Sequence, residues 1–387
     1  MHDNLQEITE GITKLLVPSD SMTEKVPPKS PAFFNPNAKL NRDLSMIAYR
    51  AFGSMGNNRN MADALAGVGA RSVRAAVEVE ELDEVYINDA NPIAIDMARQ
   101  SSALNRVENK CRFSVNGVCR FLIEHSAKGS RFDIVDLDPF GTPAPYIDCA
   151  LRAVCAEGLL SITATDTPVL CGIYPDVCMR RYYGRSINTE YGNEVGLRLL
   201  LGLISMVASR LELGIKPLFV HSTRNYLRVY LFVSVGSQYA DAMPSKIGYI
   251  HHCFFCNNRT YSNMSESQRV CDKCKKPMKP AGQLWVDTIF DPAFVDGMIQ
   301  AVDKCTVDKR CGKLLSIVRE EVNSSPTYFS VDRIAERLKI TPPRISNIIE
   351  RLKDSGFIAS RTSLKMTGFK TNAKYDQVLE VLRAIVA

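Results

Sequence analysis

No stretch of this chain is apolar for long enough to cross a membrane, although 45% of its 387 residues are hydrophobic; a spanning helix takes about 20 such residues in a row. The first residues, among them Asp3, Glu7 and Glu10, supply neither the basic flank nor the apolar core of a secretory signal. A cytoplasmic protein with no membrane partner is expected. Residues 1–240 also lack any excess of charge, with 25 Lys and Arg against 26 Asp and Glu, whereas residues 241–387 carry 23 against 16. The net charge of +6 therefore belongs to the C-terminal part alone. A nearly neutral body with a basic appendage points to a small-molecule or catalytic domain joined to one that binds a polyanion, with a merely solvated basic surface as the alternative. The length calls for two or three domains. Eight of the twelve cysteines follow no framework, which fits a reducing compartment where thiols stay free or bind metal.

The dinucleotide fingerprint is incomplete as well. Gly67-Val68-Gly69-Ala70-Arg71 follows a strand predicted over residues 60–66 and opens a helix predicted over 72–79, but the third glycine is missing. Gly67 and Gly69 still allow a ligand close to the backbone. The next strand, 84–88, ends at Asp89, about 20 residues beyond the turn, where a carboxylate can bind ribose hydroxyls. Pro92 starts a helix over 93–104, and a third strand, 111–115, ends at Asn116-Gly117-Val118, where an adenine would be contacted. A fourth, 132–137, runs into Asp138-Pro139-Phe140-Gly141, and a fifth covers 158–164. Polar residues gathered at the ends of alternating strands specify a doubly wound, Rossmann-like α/β sheet with its ligand on that edge. The glycine turn and Asp89 suit either a nicotinamide cofactor or S-adenosylmethionine, since both present an adenosine ribose; the turn that ends the fourth strand, and the lack of an acid placed for hydride transfer, favour the methyl donor.

The turn Asp138-Pro139-Phe140-Gly141 gives that ligand a chemistry. An exocyclic base amine is a poor nucleophile because its lone pair is delocalised into the ring. A carboxylate and a carbonyl held by a rigid proline turn can accept its two hydrogens and aim the lone pair at a methyl sulfonium. By itself the same tetrapeptide is also an ordinary exit from a strand.

Together with Phe34-Asn35-Pro36, Asn41-Arg42-Asp43-Leu44, Gly69-Ala70-Arg71-Ser72-Val73-Arg74, Asn88-Asp89-Ala90, Ala164-Thr165-Asp166, Leu170-Cys171-Gly172 and Asn193-Glu194-Val195-Gly196-Leu197-Arg198, the turn makes this chain resemble the tRNA guanine-26 N2-dimethyltransferases, especially the archaeal ones. The resemblance implies a class I methyltransferase fold that transfers one and then a second methyl from S-adenosylmethionine to guanine 26 of tRNA. It implies that Arg42 and Arg71 hold the methionine and nucleoside parts of the donor and that Asp89 holds the ribose. Asp138 is then the catalytic carboxylate, the Pro139 carbonyl the second acceptor and Phe140 the surface for the guanine. For Arg42 the plain alternative is an ion pair with Asp43; Asp166 either lines the acceptor pocket or caps the turn before Pro168. The family commonly has Asp-Ala where this chain has Asn116-Gly117-Val118, so the adenine contact falls to a backbone N–H of Gly117 or Val118 or to the Asn116 amide.

In the basic part, Cys253-x2-Cys256 and Cys271-x2-Cys274 lie 14 residues apart, a spacing suited to one closed, structural zinc site, with free thiols or a redox pair as the alternatives. His251 and His252 are not needed as ligands. Lys246, Arg259, Arg269, Lys273, Lys275, Lys276 and Lys279, against only Glu266 and Asp272, are expected to meet tRNA phosphates. The tail reads as a winged helix, with helices over 313–322, 331–338 and 344–354, Thr341 as the cap of the last, wing strands near 357–360 and 364–367, and a closing helix marked by Val378, Leu379, Leu382 and Ile385. Arg344, Asn347 and Arg351 would enter a DNA groove, grip RNA by shape, or pack. The expected domains are an N-terminal extension (1–40), the methyltransferase domain (41–240), a four-cysteine module (241–290) and a winged-helix-like region (300–387), in a monomer. The rival readings are a zinc-containing winged-helix DNA-binding regulator that senses a nucleoside, and an amino-methyltransferase acting on another base.

Overall fold

The computed structural model describes residues 5–56, 59–223, 226–263 and 269–386; Asp3 and Glu266 fall outside them. The chain divides into two compact units: one holds the chain up to Thr163 with Tyr230–Val235 and Ala293–Lys313, the other Ala164–Val229, Gly236–Pro292 and the chain from Leu314 onward.

A hairpin of β1 (Leu5–Glu10) and β2 (Thr13–Pro18) precedes a long buried helix, α1 (Lys39–Gly53). The alternating part then runs β3 (Asn60–Asp63), α2 (Ala70–Glu78), β4 (Glu84–Asn88), α3 (Pro92–Leu104), β5 (Cys111–Ser114), α4 (Val118–Glu124), β6 (Phe132–Leu137), α5 (Ile147–Ala153) and β7 (Val154–Ala164). After α6 (Gly192–Ser209) come β8 (Leu213–Thr223) and β9 (Tyr226–Val235). The seven strands form one sheet in the order β5-β4-β3-β6-β7-β9-β8, the first five parallel. Ile134, Val135 and Leu137 of β6 are wholly buried, as strands covered on both faces must be. Each such side chain contributes roughly 1.5–3 kcal/mol by leaving water. Strand order reverses between β3 and β6, which opens a crevice at their carboxyl ends.

Local signals account for the element ends. Pro92 occupies the first turn of α3, and the Asn91 side chain caps it by accepting from Ile93 N at 3.0 Å. Gly69 takes φ +74°, and a β-carbon there would lie 2.6 Å from Ala98 Cβ, so only glycine lets α2 and α3 pack this closely. The strand β3 stops at Asp63, three residues short of expectation; beyond it Ala64 N still bonds across to Asp136 O of β6 and Ala66 N to Asn88 O of β4, and Gly69 N closes a turn on Ala66 O at 2.9 Å.

In the second unit, β10 (Ile247–His252), β11 (Arg259–Asn263) and β12 (Lys279–Trp285) form a three-stranded sheet around the cysteine pairs. Helices α7 (Val331–Leu338), α8 (Ile345–Asp354) and α9 (Tyr375–Val386) pack with the small sheet of β13 (Phe329–Ser330), β14 (Ala359–Arg361) and β15 (Gly368–Thr371) over Ile334, Ile348, Leu352, Phe369, Val378 and Leu382. This is the winged-helix arrangement, with two corrections. Arg344, not Thr341, precedes α8, because the two prolines hold 341–344 outside the helix. The wing strands also lie two to four residues later than expected. Among the described residues no helix is long and apolar enough to cross a membrane.

Candidate active site and metal centre

The crevice at the ends of β3 and β6 is built around Arg71. Its Nη1 donates to Asp136 Oδ1 at 2.6 Å and its Nη2 to Asp138 Oδ2 at 2.5 Å. Burial opposes the charge on Arg71, but Asp136 and Asp138 outweigh it and raise its pKa well above the ordinary value. Asp136 is wholly buried, and its Oδ2 also accepts from Ser161 Oγ at 2.5 Å and from the Tyr49 hydroxyl. A carboxylate inside an apolar strand needs such partners, because an uncompensated one would cost several kcal/mol, of the order of ~3–5. Asp63 ends the neighbouring strand opposite Asp136; burial first, and then the Asp136 charge, push its carboxyl up to about 7. The sequence reading assigned no role to Asp63, Asp136, Tyr49 or Ser161. The available signal was two acidic residues inside buried strands.

Asp138 differs in being 30% exposed. Arg71 fixes Oδ2, and Oδ1 has no protein partner among the described residues. Pro139 is buried, Gly141 turns the chain with φ +75°, and Phe140 stands 59% exposed with its ring 4.6 Å from Phe33 and Lys29 Nζ 4.8 Å above it.

On the other side of β3, Asp89 accepts from Gly67 N at 2.8 Å through Oδ2 and from Asn91 N at 2.9 Å through Oδ1, which fixes the carboxylate against the glycine turn. Asn88 ties the strand ends together: its Nδ2 donates to Ala64 O and Asn116 O, and its Oδ1 accepts from Asn116 N. The Asn116 amide donates to Ser114 Oγ at 3.0 Å, with its second N–H and its oxygen still available to a ligand. The three adenine-contact candidates, Asn116, Gly117 and Val118, lie together where the chain enters α4. Gly67, Gly69, Arg71, Asp89, Gly117, Val118 and Asp138 thus line one sheet edge.

Arg42 does not form the alternative ion pair with Asp43. Its guanidinium pairs with Glu10 at 2.8 and 2.5 Å, donates to Asn35 O and covers the Phe34 ring at 4.9 Å. Asp43 instead accepts from Arg74 at 2.7 Å and Lys39 at 2.7 Å. Asp166 does not cap with its side chain: its carboxylate accepts from Tyr182 Oη at 2.6 Å and Arg181 Nη1 at 3.1 Å. Cys119 and Cys149 are joined in a disulfide, against the expectation of thiols that are free or metal-bound.

The other cysteine expectation holds. The sulfur atoms of Cys253, Cys256, Cys271 and Cys274 lie within 4.8 Å of one another, which suits a tetrahedron with Zn–S bonds of about 2.3 Å. The two knuckles repeat one geometry. Asn257 N donates to Cys253 O and Lys275 N to Cys271 O, at 2.8 and 2.9 Å, and Asn257 and Lys275 both take positive φ, 61° and 59°. No fourth position is left open for water, so a zinc ion here would be structural. His252 bonds to Tyr191 Oη and His251 to Ser262, outside the cluster. Several cations expected to face phosphates are consumed internally. Arg259 pairs with Glu190 and stacks on Tyr191 and Phe329, and Lys273 holds Asp376 at 2.6 Å. Arg344 just before α8, and Asn347 and Arg351 on it, are exposed.

The family model described as N2,N2-dimethylguanosine tRNA methyltransferase matches residues 11–383. This chain belongs to that family. A relative described as tRNA (guanine(26)-N(2))-dimethyltransferase from Methanothermobacter thermautotrophicus is 34% identical over 98% of this chain and 99% of its own. One of the same description from Methanoculleus marisnigri is 36% identical over 98% of each chain. A relative from Aquifex aeolicus, 30% identical over 98% of this chain and 96% of its own, is described as acting on guanine 26 and guanine 27. The solved complex of Trm1 from Pyrococcus horikoshii with S-adenosyl-L-methionine superposes with a TM-score of 0.85 at 28% identity, over 97% of this chain and 99% of that one. As a dimethylguanosine methyltransferase family member, the chain keeps the family fold over nearly its whole length.

Proposed function

We propose that this chain is an S-adenosylmethionine-dependent tRNA methyltransferase that acts on the exocyclic N2 of guanine 26, giving N2-methyl- and then N2,N2-dimethylguanosine. The observation that carries the proposal is the Asp138-Pro139-Phe140-Gly141 turn at the strand-order reversal, with one carboxylate oxygen anchored by Arg71 and the other unshared, in a chain of this family.

The residues along the edge fit the donor. Asp89, already held rigid by Gly67 N, would take the ribose hydroxyls; the entry to α4 at Asn116, Gly117 and Val118 would meet the adenine, and Arg71 and Arg42 the methionine end. When bound, S-adenosylmethionine supplies the methyl as a sulfonium electrophile. Asp138 Oδ1 and the Pro139 carbonyl accept the two N–H groups of the guanine and turn the nitrogen lone pair toward that carbon, while Phe140 packs on the base. Asp138 is the acceptor for the proton that the amine sheds as its new C–N bond forms. The second methylation requires the monomethylated base to rotate and present its remaining N–H to the same acceptors.

The four cysteines would hold structural zinc, residues 241–290 and 300–387 would supply tRNA-binding surfaces beside the 41–240 catalytic domain and its 1–40 extension, and the protein would act as a cytoplasmic monomer. Incubation of unmodified tRNA transcript with labelled S-adenosylmethionine, followed by nucleoside analysis, tests the reaction. Label in N2-methyl- and dimethylguanosine that disappears with Asp138→Ala and with a transcript bearing adenine at position 26 is expected. Label persisting on the altered transcript would move the target, with guanine 27 the first place to look; no label on any RNA would overturn the reaction.

A further inference from the structure

The first zinc knuckle carries two large rings in water. Between Cys253 and Cys256, Phe254 is 47% and Phe255 63% exposed. Each ring has an ammonium beside it: Lys279 Nζ lies 5.5 Å from the Phe254 centroid and Lys276 Nζ 5.8 Å from that of Phe255. Neither lysine has a carboxylate partner among the described residues, whereas Lys273, Lys246 and Arg259 in the same module do. The backbone beneath the rings is rigid, since Cys253 N donates to Asn258 O at 2.9 Å and Asn257 N to Cys253 O at 2.8 Å. The Phe254 ring is further braced edge-on by His252, 4.5 Å away.

From this arrangement we propose that Phe254 and Phe255, with Lys276 and Lys279, form a stacking platform for unpaired nucleotides of the tRNA, bases lying on the rings and phosphates at the ammonium groups. The proposal rests on the tRNA reading above and deepens it. Two adjacent phenylalanines left in water are spent hydrophobic area unless something flat covers them. The unpaired cations, on the half of the chain that holds the whole positive excess, select an anionic cover over an apolar protein face. Bases inside an A-form helix are stacked on each other and cannot reach a ring, so the nucleotides concerned are in a loop, a bulge or a flipped position.

The test uses the full-length zinc-loaded protein. Dissociation constants for unmodified tRNA transcript would be measured from about 50 to about 200 mM salt for the parent, Phe255→Leu, Phe255→Trp and Lys276→Gln, with zinc content and melting temperature recorded for each. The platform predicts that Phe255→Leu weakens binding by about 5- to 150-fold with an unchanged salt slope. It predicts that Phe255→Trp restores affinity and that Lys276→Gln lowers the slope by about one, all at parental zinc content. Equal affinity of Phe255→Leu and parent overturns the platform, as does loss that tracks zinc, or no rescue by tryptophan. Self-association of the parent abolished in Phe255→Leu at unchanged tRNA affinity would assign the rings to a protein contact instead. Failure of the parent itself to bind or methylate tRNA would sink the tRNA reading, so the two failures are distinguishable.

Discussion

At the ends of β3 and β6 nearly every strong charge is answered within the protein, whereas on the zinc knuckles several are left open. Arg71 divides itself between Asp136 and Asp138, and Asp136 takes further bonds from Tyr49 and Ser161. Lys276 and Lys279 stand beside exposed rings and form no ion pair among the described residues. The difference is the one expected between a place where reacting atoms must be fixed before the substrate arrives and a place whose partner supplies the missing charge. A buried network is costly to disturb and insensitive to salt; an open cationic surface is cheap to mutate and strongly salt-dependent.

The comparison can be broken in four places. The largest effect is expected from the metal centre. Cys253→Ser should reduce zinc from one ion per chain to almost none and unfold the knuckles, since structural zinc contributes about 10–16 kcal/mol of apparent binding free energy in small zinc modules. Metal analysis of the parent giving far less than one zinc would remove that centre. Next, Asp136→Ala should destabilise the protein by about 3–5 kcal/mol in denaturant titrations, because it strips a buried arginine of a partner; a loss below about 1 kcal/mol would mean that the network is not the rigid one described. Asp138→Asn, a half-exposed group, should instead cost about 100-fold in methyl-transfer rate with little change in unfolding midpoint, and a shift in stability without one in rate would reverse its role. The last effect is confined to a pH window. Because the folded-state pKa of Asp63 is raised from 3.8 to about 7, its contribution is complete below the ordinary carboxylate range and is lost as pH rises through about 7. Asp63→Asn should therefore match the parent near the bottom of that window and be the more stable protein above it; equal pH profiles for the two would refute the burial of an acid there.

Much of this was legible in the residues because the strands announce themselves. The strand 84–88 and the strand 132–137 were placed to the residue, since apolar runs ending in Asn-Asp and Asp-Pro carry both a burial signal and a stop. The four cysteines came together because spacing alone nearly fixes such a site. What stayed hidden were partners distant in sequence. Nothing near Arg42 points to Glu10, 32 residues earlier in a hairpin, and a run of lysines and arginines does not reveal that Arg259 will be buried against Glu190. Likewise the joining of Cys119 to Cys149 depends on where α4 and α5 meet, and no framework of spacings encodes it. Thr341 failed as a helix cap because two prolines in a row favour extended backbone more strongly than they favour a first helical turn.

One carboxamide in the crevice has consequences for how fast and how evenly the donor pocket fills. By bonding Ala64 O, Asn116 O and Asn116 N, Asn88 closes three connections at once into a single ring of contacts. Loops fixed in advance do not have to be gathered by an arriving molecule, so their ordering is charged to folding and not to association. The pocket should then fill by simple one-step kinetics, with backbone amides around Ala64 and Asn116 already slow to exchange their hydrogens in the empty protein.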